Sequence, residues 1–459
     1  KGRMHTFKQN GSFQLTEEKD LRGTSTKVEY HAPSGKLASY TDGAGRKTTF
    51  TYEARQQTFA VPGLPAQSVT FTFYDVRRID YADGTHEAVE RDPRGNMVKR
   101  TDRNGHVWEW EYDPLGQVVR AKNPTGGITT FTYHRDGTVP SVRDDDTGLV
   151  TYAYDESHRL ARITYADGTF QSQSFDAMDR LVEVVDRQGV RTTFAYDANG
   201  NRTEVVRDAG GLNQRWRYGY DSMDRLVRLT DPAGNSATYA HTWWGGLETT
   251  TFPDGAIRRM RYDENTWNTG FVDEAGKTWE LARDATSVVT EMKTPLGRRY
   301  GTTPNAMGRP STLTTAAGET FGIERDALQR PVKISDPLGR KTELTYDGNG
   351  QLTKVVLPIL GEAAYARNGL GKVTTITDQE KNQWSFTYTK MGRLTGIQDP
   401  LGAKWTYAYD PLGRLERIEY PGGTGENRTY DAEGRLTQRS FSDGLKLEYT
   451  YDALGRLTK

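Results

Sequence analysis

The chain contains no cysteine and only 34% hydrophobic residues over 459 positions, and these two shortages exclude several protein classes at once. Without cysteine there is no disulfide framework and no thiolate metal site, and passage between reducing and oxidising compartments is tolerated. So low an apolar content does not suit a thick core in a chain this long. No apolar run approaches the roughly 20 residues that a membrane helix needs, and the N-terminal residues show no signal-peptide pattern. Charge of one sign is lacking too. Lys+Arg and Asp+Glu both total 61, so nothing draws the chain to nucleic acid or to an anionic membrane.

What the chain does have is 25 Tyr, 15 Phe, 9 Trp and 48 Gly. Abundant aromatics at zero net charge argue against disorder. Together with the glycines they indicate thin, turn-rich β-structure with one buried face.

A cassette of Tyr, Asp, two free positions, Gly, Arg and Leu recurs at a spacing of 21 residues. Its clearest copies are Tyr409-Asp410-Pro411-Leu412-Gly413-Arg414-Leu415, Tyr430-Asp431 with Gly434-Arg435-Leu436, and Tyr451-Asp452 with Gly455-Arg456-Leu457. Further copies hold Tyr112, Asp113 and Gly116; Tyr196, Asp197 and Gly200; and Tyr220 with Asp221. Tyr388 and Gly392 keep the same phases. The Asp register runs 113, 134, 155, 176, 197, then, after a three-residue insertion, from 221 to 452 in eleven unbroken intervals of 21. A period of that size means an array of one small unit.

Within a unit, Trp405, Tyr407 and Tyr409 alternate with Lys404, Thr406 and Ala408. That is the period of a half-buried strand. Trp384 occupies the phase of Trp405, and five of the nine tryptophans stand five residues before the register Asp, which predicts aromatic ladders across neighbouring strands. The Asp is expected to accept hydrogen bonds from amides of its own turn, and Gly three residues on takes positive φ; Asp179 and Asp224 stand in for it twice. Alternation after the Leu is less clean, as a β-bulge would make it. A second turn follows about ten residues after the first. It reads either Asp-x-x-Gly (Asp186, Asp231, Asp273, Asp336, Asp399) or aromatic-x-x-Gly (Tyr165, Phe252, Tyr420, Phe441). Each unit is thus two strands and two tight turns, without helix. One unit cannot fold alone, since ordering its backbone costs ~20–40 kcal/mol and only stacked neighbours offset that.

Residues 92–459 form the regular array and residues 1–91 its irregular end, where the register falls at 92, 75, 53, 31 and 10. Val61-Pro62-Gly63-Leu64-Pro65 is expected to bulge as a loop, and Asp208 to Asn213 to lengthen one turn.

With its Asp-Pro-Leu-Gly second turn, the cassette resembles the Rhs/YD-repeat family, well over 92–459 and loosely over 10–91. The resemblance implies an all-β fold in which tandem repeats form a long antiparallel strip that spirals into a hollow shell. Family members resemble polymorphic toxins, including type VI secretion effectors and the C components of insecticidal Tc toxins, while animal teneurins use a related shell in adhesion. The implied partner is a C-terminal toxin domain of the same polypeptide held inside, with secretion-machine spike or adaptor proteins outside and a secreted or cell-surface location. The family's self-cleaving aspartate segment is not found. Asp399 and Asp410 both open Asp-Pro-Leu-Gly but fall on turn phases. About 44 strands at ~4.8 Å spacing and ~20 Å length would enclose on the order of 9,000 Å³, so a complete shell is expected to be larger than this segment.

No enzyme chemistry emerges. Gly276-Lys277-Thr278 lacks the spacing of a phosphate loop, and Asp197, Asn199 and Asn201 lack the Gly and closing Glu of a calcium loop. Asp144-Asp145-Asp146 reads as an exposed acidic turn, His86-Glu87 lacks a second His, and no Ser sits in a nucleophile elbow. No cofactor, metal ligand or catalytic residue is assigned. A second reading stays open, in which exposed Trp and Tyr rows stack on glycans and the protein is a surface adhesin.

Overall fold

The computed structural model describes residues 5–20, 23–61 and 64–459. All regular structure among them is β: 41 strands, all in one sheet, with each described pairing antiparallel to a sequence neighbour. Strands such as Lys404–Tyr409 and Leu415–Glu419 span six and five residues. Their burial follows the residues. In Lys404–Tyr409 the exposed Lys404, Thr406 and Ala408 alternate with half-buried Trp405, Tyr407 and Tyr409.

Two kinds of turn alternate along the chain. At the cassette turn, Tyr409 faces Leu415 while Ala408 faces Arg417, so Glu416 is an extra residue and the expected bulge is present. At the second turn, Ile397 faces Trp405 and Gln398 faces Lys404 with no slip. The bulge recurs at Thr429/Tyr430, Ala195/Tyr196 and Gly219/Tyr220, always one residue before the turn.

There is one layer. Accessible surface is 27149 Å², where a compact monomer of this size would expose about 17,000 Å². Among the apolar side chains of the described residues only Val206 and Ile418 are buried. The aromatic rows differ from the expected ladders, because Trp405 and Phe386 both face Ile397, and Tyr407 faces Ile418. Every second strand is the short returning one, whose β-branched and Leu positions separate the rings. Phe271 takes such a position, and there the rings do stack, with Trp279 5.7 Å away at 8°.

The irregular end contains one extended hairpin, Lys47–Val61 with Leu64–Asp80, of 15 and 17 residues. Register positions 53 and 75 are therefore not turns: Glu53 and Asp75 are cross-strand partners within it. Of the loop expected at 61–65, Val61 ends one strand and Leu64 begins the next, and Pro62 and Gly63 lie outside the described residues. The turn at 208–213 is lengthened as expected, closed by the Asn213 amide on the Asp208 carbonyl at 3.0 Å.

The chain divides into two compact units. One holds residues 1–128 and 281–384, the other 129–280 and 385–459. Within each unit, the early and late stretches meet through their turns. Among the described residues no helix is long and apolar enough to cross a membrane, which says nothing of crossing by strands.

Candidate functional site: the ladder of turns

The recurring residues converge on one edge feature, and each has a separate task. Asp410 Oδ1 accepts from the amides of Leu412 and Arg414, both at 2.9 Å, and the Asp410 amide donates to the Arg414 carbonyl. Gly413 follows at φ 76°, a conformation cheap only without Cβ. Arg414 Nε donates to Asp410 Oδ2 at 2.6 Å, and its Nη1 donates to the Asp431 carbonyl of the next repeat at 2.9 Å. The same guanidinium lies 5.1 Å from the centroid of the Tyr430 ring, and the Tyr430 hydroxyl donates back to the Leu415 carbonyl at 2.6 Å. Asp, Arg and Tyr thus link each turn to the next along the edge.

The link repeats. Tyr112, Tyr196, Tyr409 and Tyr451 donate to the carbonyls of Met97, Leu181, Leu394 and Leu436, each 15 residues upstream. Tyr220 reaches Arg202 instead, 18 residues upstream, because the insertion before it adds three. Asp113, Asp197, Asp221 and Asp452 cap their turns as Asp410 does. In the Asp431 turn the carboxylate accepts from the Arg435 amide at 2.9 Å and from Arg435 Nε. Gly116, Gly200, Gly392, Gly434 and Gly455 all have φ between 82° and 93° except Gly455 at 81°. Tyr388 faces Leu394, and Trp384, at 40% exposure, lies in the same strand, Gln383–Tyr388.

Asp179 and Asp224 adopt positive φ as expected, and so do His158, Thr266, Ser287 and Gln329 at the same phase, while Lys381 does so at the Gly place of the second turn that Asp378 opens. Those five escape sequence reasoning because nothing but register marks them. The aromatic second turn also has a partner that the sequence does not announce. Arg187 covers Tyr165 at 4.3 Å while donating to Thr169 and Asp167, and Arg103 repeats this on Tyr81, Thr85 and Asp83.

The second turns of the early stretch meet the cassette turns of the late stretch. In the first unit, Asn349 Nδ2 donates to Asp102 Oδ2 at 2.8 Å across 247 residues, and a Cβ on Gly348 would lie 2.6 Å from the Arg103 carbonyl oxygen. In the second, the Arg187 amide donates to Glu433 at 2.6 Å and Thr389 to Asp146 at 2.7 Å. The acidic triple is therefore not simply an exposed turn: Asp146 is half-buried in this joint, with Arg393 3.6 Å away.

Electrostatics along the ladder favours ionised carboxylates. The hydrogen bond from Arg225 holds Asp221 down at about 2. Burial opposes ionisation of Asp431, but the Arg435 amide and guanidinium outweigh it and the carboxyl stays below its ordinary range. Glu426 is enclosed completely. Burial raises its cost of ionising, yet Arg439 and Arg428 overcome that and hold it ionised.

The remaining sequence candidates are turn parts. Gly276-Lys277-Thr278 belongs to the Asp273 turn, whose carboxylate accepts from the Lys277 amide and Trp279 Nε1. Asn199 and Asn201 are capped by Asp197 and donate to Asp224. Asp399 and Asp410 each cap their own turn. Among the described residues no group of three or more acidic or His side chains is arranged for a metal ion.

A single-layer β-strip of tandem hairpins, laced along its turns, defines the class. Seven stretches, 91–128, 175–212, 210–236, 325–358, 367–404, 392–424 and 430–459, match the family described as RHS Repeat. The chain is an RHS-repeat protein. A comparison with curated protein sequences finds no match. Among solved structures, a TcdB2-TccC3-TEV crystal structure matches over 99% of this chain and 35% of its own, at 12% identity and a TM-score of 0.69. The Photorhabdus luminescens Tc holotoxin pore matches over 95% and 27%, at 13% identity and a TM-score of 0.69. This chain thus spans about a third of those it matches, and the likeness is one of fold.

Proposed function

We propose that this chain is a wall segment of a hollow Rhs-type shell that encloses a toxin domain carried elsewhere on the same polypeptide. The observation behind this reading is the uncovered apolar face. Rows of Trp, Tyr, Phe, Ile and Leu stay half-exposed because no second layer covers them among the described residues. An apolar face of that extent on a single sheet calls for contents. Rings separated by aliphatic residues offer shallow, distributed contacts, suited to holding an extended or partly unfolded chain rather than a folded ligand. The role is containment, and secretion with delivery to competing bacteria or to an insect host follows from it. Structural relatives that are Tc toxin assemblies by name support the same direction.

Limited proteolysis of the full-length protein tests this, with and without mild denaturant. The enclosed domain should resist cleavage natively and be cut once the wall loosens. Equal cleavage in both conditions would end the proposal. A glycan-binding adhesin is the second reading, favoured by exposed tryptophans, Trp243 at 84% and Trp244 and Trp384 at 40%. A glycan array with Trp384→Ala and Trp405→Ala controls separates the two.

A further inference from the structure

Positive and negative charges balance over the chain but not along it. Residues 123–276 contain no lysine, so arginine supplies every permanent positive charge there. It concentrates in five consecutive strands, Gln214–Tyr220, Leu226–Thr230, Ser236–His241, Leu247–Thr251 and Ile257–Tyr262, which hold six arginines and one carboxylate, Glu248. Arg258 lies on the aromatic face, 2.5 Å from Glu274. Arg215, Arg217, Arg228, Arg259 and Arg261 take the alternate phase, that of Lys404 and Thr406, and all five are exposed. Arg215 and Arg217 share the carboxylate of Glu204, at 3.0 and 3.2 Å. Arg228 donates to Ser236 at 3.2 Å. Among the described residues no carboxylate lies within ion-pair distance of Arg228, Arg259 or Arg261. Elsewhere the same face pairs its charges, as Glu109 with Lys122 at 2.7 Å and Glu90 with Lys99 at 2.8 Å.

We infer that the polar face of these five strands binds a sulfated polysaccharide. Guanidinium forks meet sulfate oxygens bidentately, which lysine cannot do. Arg215 and Arg217 stand two residues apart on one strand, about 6.8 Å, and Arg228 is diagonal to Arg217 across Thr230, ~7–8 Å away. Steps that short call for a densely charged chain, which a glycan with one carboxylate per two sugars is not. Arg259 and Arg261 lie three strands beyond Arg228, roughly 14 Å. Thr238 faces Arg228 and Thr249 faces Arg259, so hydroxyls that suit a sugar floor the space between the arginines. The face carries no aromatic side chain on these strands for bases to stack on, and the Ser, Thr, Ala and Gly between the arginines give a membrane nothing to hold. It is the opposite face from the one proposed to meet contents, so failure to bind glycan would leave the containment reading untouched.

Fluorescence anisotropy of a labelled heparin oligosaccharide, titrated with the full chain, tests this with two variants. One carries Arg228→Gln, Arg259→Gln and Arg261→Gln, which break no ion pair. The other removes as many charges from exposed lysines of the same phase outside these strands, by Lys341→Gln, Lys404→Gln and Lys446→Gln. Circular dichroism checks that both keep their folding. The wild-type chain should bind heparin and not hyaluronan, whose charges are sparser carboxylates. The arginine variant should bind about tenfold more weakly or worse, with a shallower dependence of log Kd on log salt. The lysine variant should lose less than about twofold, since distant charges are screened. A wild-type chain that does not bind heparin would overturn the inference. So would a lysine variant as weak as the arginine one, or duplex DNA that competes as well as heparin, since either would mean that charge alone is read.

Discussion

The Tyr430 hydroxyl donates a 2.6 Å hydrogen bond to the Leu415 carbonyl, 15 residues upstream, while its ring lies beneath the Arg414 guanidinium. One side chain so joins both flanks of a turn. Tyr430→Phe keeps the ring and removes the hydroxyl, leaving a half-buried carbonyl short of a donor. A loss of about 1 kcal/mol is expected, read as a lower urea midpoint. Because each repeat touches mainly its neighbours, faster amide exchange should be confined to the strands around 415 and 430. Exchange that rises evenly along the chain would contradict the ladder.

Arg414→Lys tests the other half of the link. A lysine can keep the charge beside Asp410, but it has no fork to reach the Asp431 carbonyl and no plane to lie on Tyr430. The expected loss is ~1–2 kcal/mol. Exchange should quicken at residues 430–435, one repeat beyond the substitution. If only the 410–414 turn loosens, the guanidinium acts within its own repeat.

How much of this was legible beforehand follows from what each residue does locally. Asp410, Gly413 and the bulge after Leu415 act within a few residues of themselves, so spacing alone exposed them. Asp144-Asp145-Asp146 did not yield to that logic, because what covers Asp146 is Thr389, 243 residues later. The long hairpin was missed for a different reason. Glu53 and Asp75 happen to fall near the register, and a period cannot tell a turn from the middle of a strand. The aromatic ladders were misjudged because the ring-bearing strands are alike but not adjacent; Ile397 and Ile418 lie between them.

Gly348 makes the row-to-row joint testable without touching either charge or cassette. Its φ is not in the left-handed region, so alanine brings no backbone strain, yet its Cβ would sit 2.6 Å from the Arg103 carbonyl oxygen. Gly348→Ala should therefore push the Asp347 turn away from the Asp102 turn. It should lengthen the 2.8 Å bond from Asn349 to Asp102 and cost about 1–3 kcal/mol. Exchange should rise at 102–106 and 347–351 together. Gly276→Ala is the control: its φ of 74° brings local strain, with nothing within 4 Å of the new Cβ, so loosening should stay in that turn. Coupled loosening in the control would remove the argument from contact.

The ladder also sets a pH dependence whose sign can be worked out at Asp221. Arg225 holds this carboxyl at about 2, below the ~3.9 of an unfolded Asp. A depressed folded value means that the unfolded chain binds the proton more readily as pH falls. The contribution is fully present above pH ~4 and is lost as pH drops toward the folded value of about 2. Asp221→Asn retains an oxygen for the Met223 and Arg225 amides but gives up the charge that meets Arg225. The urea midpoint of the variant should lie below wild type by a constant amount at neutral pH. That gap should narrow between pH ~4 and ~2 as the wild-type carboxylate is protonated. A gap that is the same at pH 7 and pH 2 would mean that the ion pair contributes nothing and the turn is held by its amides alone.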